Sequence, residues 1–88
     1  RLSAQLIRAS ASVPANIAEG NCRGTRKDYA NFVSIARGSV AEVETFLILV
    51  RRLDLAPADQ VTELLTLTDE VSRMLNRLRA SLTASPRP

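Results

Sequence analysis

Val61, Leu64, Thr68, Val71, Leu75, Leu78 and Leu82 follow one another at steps of three and four in unbroken alternation. Only a helix brings residues so spaced onto one side. A seam of that length is stable in water only when another helix covers it, so the chain is committed to a helical bundle. Two upstream segments repeat the pattern. Tyr29, Phe32, Ala36, Val40, Val43, Leu47 and Val50 form one further stripe, and Leu2, Leu6, Ala9, Val13, Ile17 and Gly20 form another. The fold class is all-α.

Local signals set the helix ends. Thr25 offers a hydroxyl to the free N–H groups of a helix that starts at residue 26, and Asp28 stands three positions on, where its charge suits the dipole. Pro57 fits the first turn of the last helix, and Gly20 and Gly24 read as stop signals after the first. These marks predict helices over about 2–21, 26–53 and 57–83, a single domain over 1–84, and a tail at 85–88 that frays. Pro14 lies inside the first helix and lacks the N–H that would bond the carbonyl of Ser10, which predicts a kink or a short break there. Short connections make the helices run up and down, each antiparallel to the one before.

Apolar surface is left over. Ile48 and Leu49 point off the main stripe of the second helix, and Leu67 and Met74, seven apart, make a second line on the third. A missing helix, association between chains, or both would cover it, and both are expected, with Ile48, Leu49, Leu67 and Met74 as the oligomer interface. The chain starts without Met and with its apolar period already under way, which points to a segment upstream of Arg1.

Composition narrows the function. The 88 residues carry no histidine, one cysteine, and twelve cations of which Lys27 alone is a lysine, for a net charge of +3. There is no histidine for acid–base work or metal binding, and the Glu-x-x-His pair of di-metal bundles is absent. Glu42 and Glu44, two apart on a helix, do not face each other, and no Gly-rich phosphate loop occurs. No catalytic residue, metal or cofactor is expected. Cys22 has no disulfide partner within the chain and suits a reducing, cytoplasmic setting, and no apolar run is long enough to span a membrane.

One band of polar residues invites two readings. Gln5, Ser12, Asn16 and Glu19 line the edge of the apolar face of the first helix. Opposite them lies "ARGSVAEVE", with Ser39 on the buried stripe and Arg37, Glu42 and Glu44 near its borders. In the first reading Ser12, Asn16, Glu19 and Ser39 form a buried polar network that fixes register, with Asn16 and Glu19 reaching Ser39, Arg37 or the carbonyl freed by Pro14. The second makes Glu19 a ligand-binding or catalytic carboxylate; the first is preferred. Gly38, which costs roughly 1 kcal/mol against alanine in mid-helix, is expected where two helices come close.

"SVPANIAEG" at Ser12 to Gly20, followed by "DYANFVSIARGSVAEVET" at Asp28 to Thr45, resembles the bacterial four-helix bundle proteins encoded in intervening sequences of 23S ribosomal RNA genes. That family also takes in the accessory proteins of diversity-generating retroelements. The resemblance runs from about Gln5 to Leu55 and is looser in the third helix. It implies a four-helix protomer whose first helix precedes Arg1, assembly into a ring-like homo-oligomer of five subunits, and no known catalysis. The retroelement relatives bind a reverse transcriptase, which makes such an enzyme a candidate partner beside RNA.

Antiparallel packing also gathers charge. The start of the second helix comes beside the end of the third, which collects Arg23, Arg26, Lys27, Arg73, Arg77 and Arg79 toward one pole, partly offset by Asp28, Asp69 and Glu70. These six are the candidate nucleic-acid-binding residues, acting on phosphates without sequence preference. The expected function is that of a non-enzymatic, RNA-associated accessory or scaffold. The rival is a protein–protein adaptor that binds no nucleic acid.

Overall fold

The computed structural model describes residues 2–84. Three helices account for nearly all of them: α1 (Leu2–Asn21), α2 (Arg26–Arg52) and α3 (Ala58–Thr83). The tail expected to fray, 85–88, lies outside the described residues, as does any helix before Arg1.

Each end has a chemical cause. Thr25 is extended (φ −131°, ψ 152°), and its hydroxyl accepts the N–H of Asp28 at 3.1 Å, which satisfies one of the orphan donors of α2. α2 ends one residue before the expected Leu53, which serves as its C-cap. The turn that follows depends on Asp54 at φ 55°. With Asp54 left-handed, its N–H reaches the carbonyl of Arg51 (3.2 Å) and the N–H of Leu55 reaches that of Val50 (3.0 Å). Those two bonds close a Schellman motif in which aspartate takes the place usually held by glycine. Pro57 precedes the first turn of α3 as its cap and makes no side-chain bond.

α1 runs unbroken through Pro14. Of the kink or short break expected there, the break does not occur. Ser12 is hydrogen-bonded to Ser39 of α2 (2.7 Å), and Asn16 donates to both the carbonyl (2.8 Å) and the hydroxyl (2.9 Å) of Ser12.

The helices form a layer one helix thick. α2 is the middle member, α1 packs on one flank and α3 on the other, and no Cα of α1 lies within 8 Å of one in α3. The principal extents are 53 × 23 × 13 Å. The Cα radius of gyration, 14.9 Å, exceeds the value of about 12 Å for a compact chain of this length. The core is small: Val33, Ala36, Val40 and Leu75 form one buried cluster with Val13, Ile17, Tyr29, Leu78 and Leu82 packed around it, and Ala9, Ala30, Leu47 and Val61 are buried outside that cluster.

Close approach is achieved at Gly20. A Cβ there would stand 2.7 Å from Cβ of Phe32 and 2.9 Å from Cδ1 of Tyr29, so only a hydrogen fits. Gly20 is therefore a helical contact residue as well as one near a helix end. The expectation for Gly38 is corrected, since a Cβ there would meet nothing within 4 Å. Position 38 is two residues from Val40 on the core side, which turns it about 200° away from the core.

Candidate nucleic-acid interface

The pole is assembled by the antiparallel α2–α3 pair. Arg26, at the first turn of α2, donates through Nη2 to the carbonyl of Ser81 in the last turn of α3 at 2.5 Å. That contact juxtaposes the two ends and also satisfies one of the open carbonyls of α3. Arg79 does something different: its Nε donates to Ser34 Oγ at 2.6 Å, and the side chain is half-buried between α3 and α2. It works as a clamp on the helix pair, and its guanidinium faces the protein.

Arg23 lies in the α1–α2 turn. It pairs with Glu19 at 2.9 Å, and its guanidinium carbon stands 5.0 Å from the centre of the Phe32 ring. Arg73 pairs with Asp69, one turn before it, at 2.9 Å. Both ion pairs are largely exposed, and pairs of that kind contribute roughly 0–1 kcal/mol, so their arginines exchange partners readily. Lys27 and Arg77 make no ion pair or side-chain hydrogen bond among the described residues. The structure thus presents Lys27, Arg77, Arg23 and Arg73 outward and ties Arg26 and Arg79 to the scaffold. The distinction depends on which side of α3 each arginine occupies: position 79 is four residues from the buried Leu75, whereas positions 73 and 77 are two away.

The polar band resolves into two groups. Ser12, Asn16 and Ser39 are hydrogen-bonded between α1 and α2, with Ser39 7% exposed. Glu19 is exposed and pairs with Arg23, and among the described residues it makes no bond to Ser39 or Arg37. The ion pair between the two helices is instead Arg8–Glu42 at 2.9 Å, with Gln5 accepting from Arg8 at 3.0 Å. No group of three or more His, Cys, Asp or Glu side chains among the described residues is placed to hold a metal, and no helix is long and apolar enough to cross a membrane.

Away from the pole the layer is open. An apolar groove of about 360 Å³ runs between α1 and α3 over α2, lined by Leu6, Val13, Val43, Leu47, Leu64 and Leu67 among others. Of the residues expected to form one oligomer interface, Leu67 lines this groove, and Met74, 58% exposed, continues the same side of α3 two turns on. Leu49 sits on the opposite face of α2, two positions from the groove residue Leu47. Ile48 is half-buried on the side of α2 that faces α3. The four do not share a surface. Ile7 and Ile35, at 69% and 52% exposure, are apolar residues that the stripe analysis missed because they lie off every main stripe.

A solved structure resembles this architecture closely. It is described as a protein with unknown function from the S23 ribosomal protein family of Bacteroides thetaiotaomicron VPI-5482. It is 27% identical to this chain, with a TM-score of 0.86 over 89% of this chain and 72% of that one. No curated protein matches. The profile of the 23S rRNA-intervening sequence protein family matches residues 1–77, and the chain belongs to that family. Neither match indicates an enzyme.

Proposed function

We propose that this member of the 23S rRNA-intervening sequence protein family is a subunit of a non-enzymatic homo-oligomer that binds RNA through its cationic pole. The observation that carries the reading is the convergence of α1, α2 and α3 at one end. There Arg23, Lys27 and Arg77 face solvent, and the Arg26–Ser81 contact holds the helix ends together. Arginine and lysine on a rigid scaffold bind phosphate without reading bases, and an oligomer multiplies that weak contact. Tyr29 and Phe32, the nearest aromatic rings, are half-buried, so base stacking contributes little.

The protomer of this proposal is a four-helix bundle in which a further helix lies in the groove between α1 and α3. Three helices leave that groove open to water, which is unfavourable by about 25 cal/mol for each Å² of apolar surface exposed. Subunits then assemble into a ring, with five members on the strength of the family resemblance, and a cytoplasmic location fits the single unpaired Cys22. One observation favours a second reading. The groove is itself an apolar surface, and if a different protein, such as a reverse transcriptase, occupies it, the molecule is an adaptor.

Retention of structured and single-stranded RNA across a salt series, with mass measured by light scattering, tests the proposal. Binding should weaken steeply with salt. A Lys27→Glu, Arg77→Glu variant of unchanged mass should bind more weakly at every salt concentration, with a shallower salt slope. An intact oligomer that retains no RNA at low salt refutes RNA binding and leaves the adaptor.

A further inference from the structure

Glu19 stands in the last turn of α1. A carboxylate there meets the negative end of the helix dipole, so its charge does not serve the helix that carries it. It is exposed, and its partner is Arg23 at 2.9 Å. Other acidic residues are explained by folding. Asp28 suits the start of α2, Asp69 precedes Arg73 by one turn within α3 in the order that favours a helix pair, and Glu42 joins α2 to Arg8 of α1. Arg23, by contrast, lies beyond the end of α1, in the turn, where its backbone N–H bonds the carbonyl of Gly20 at 3.1 Å.

Arg23 has a second support. Its guanidinium carbon is 5.0 Å from the centre of the Phe32 ring, so an aromatic face of α2 holds the cation at the pole independently of Glu19. A guanidinium binds carboxylate and phosphate through the same N–H groups. A phosphate that engages Arg23 through those groups therefore takes the place that Glu19 fills in the free protein.

We infer that Glu19 is an internal stand-in for phosphate: it occupies Arg23 in the free protein, gives way when RNA arrives, and thereby sets how tightly the pole binds. The inference rests on the RNA-binding reading above and names the residue that restrains it. Two anions compete for one cation, so RNA binding is weakened by the factor that the ion pair contributes. For an exposed pair that factor is up to about fivefold. It is small enough for a polyanion to overcome and large enough to measure. Because Phe32 also holds Arg23, the exchange asks only that Glu19, an exposed side chain, swing away.

A double-mutant cycle on the purified protein, read as affinity for a fluorescently labelled RNA hairpin at low salt, decides the matter. Glu19→Gln keeps the shape of the side chain and removes its charge. It should bind the hairpin more tightly than the wild type, by up to about fivefold, with a melting temperature no lower. Arg23→Gln should bind more weakly than the wild type, and in its background Glu19→Gln should bring little further gain. A gain of equal size with and without Arg23 overturns the inference, because the carboxylate then acts on the pole at large. A Glu19→Gln protein that binds no more tightly also overturns it, and a lowered melting temperature in that protein makes the pair a clasp on the turn. Hairpin binding by the wild type leaves the RNA reading standing in both cases. No binding at low salt by either the wild type or Glu19→Gln overturns the RNA reading and this inference with it.

Discussion

The two ends of this helical layer are made from the same three helices and both bury side chains, Val61 and Leu47 at the far end as Val33 and Leu75 nearer the pole, yet only at the pole is the side over α2 closed. On the side of α3 that faces across the layer, Leu78 and Leu82 near the pole are half-buried, whereas Leu64 and Leu67 toward the other end are 46% and 51% exposed. The sequence pattern is the same at both ends. What differs is what stands opposite. At the pole Ile17 and Tyr29 pack on the cluster around Val33 and Leu75, and Gly20 lets α1 come against Phe32 and Tyr29. At the far end Leu6, Val43 and Leu47 line a groove that they do not fill. A heptad stripe therefore specifies that a helix face is to be covered, and local side-chain volume decides whether three helices suffice.

Substitutions can break or sharpen that contrast. The largest effect is expected at Leu75, 3% exposed: truncation to alanine should cost about 2–5 kcal/mol by thermal or urea unfolding. Leu67→Ala, at 51% exposure in the groove, should cost less than about 1 kcal/mol in the 88-residue chain. In a longer protein with a helix seated in the groove, the Leu67 value should rise toward that of Leu75. Equal costs at the two positions in the 88-residue chain would erase the distinction between the ends. Next in size is Gly20→Ala. The new methyl would meet Phe32 at 2.7 Å, and forcing α1 off α2 should cost about 1–3 kcal/mol. No loss there would mean that the pole is not held by close packing. The smallest change is Asp54→Gly. Releasing a left-handed aspartate at φ 55° should raise stability by up to about 1 kcal/mol in the same unfolding assay.

Much of the layout was legible in the residues themselves. The three stripes carry the three helices, Thr25 with Asp28 marks the start of α2, and antiparallel pairing brings Arg26 to the end of α3. What escaped was of two kinds. Whether a glycine marks close approach depends on the opposite helix, so Gly20 and Gly38 could not be told apart by position in their own segments. The direction of a long cation is equally invisible. Arg77 and Arg79 read alike in a charge count, but one faces solvent and the other binds Ser34, because two residues along a helix is more than half a turn. Asp54 gave a weak signal, since aspartate tolerates the left-handed region better than most residues. Glu19 was drawn into the polar network by its angle on α1, and Arg23, four residues on, holds it outside.

Because α1 and α3 each pack on α2 and their Cα atoms stay more than 8 Å apart, the close backbone contacts of each outer helix are with α2, and the two meet through side chains on the cluster around Val33 and Leu75. The arrangement predicts that an outer helix peels away before α2 opens. Amide hydrogen exchange should then follow rank within the layer: slowest in the middle of α2, flanked on both sides, and faster in α1 and α3 through separate partial openings. In a molecule built this way local unfolding starts at the flanks, and the lifetime of the whole is set by how well α2 is kept between its neighbours.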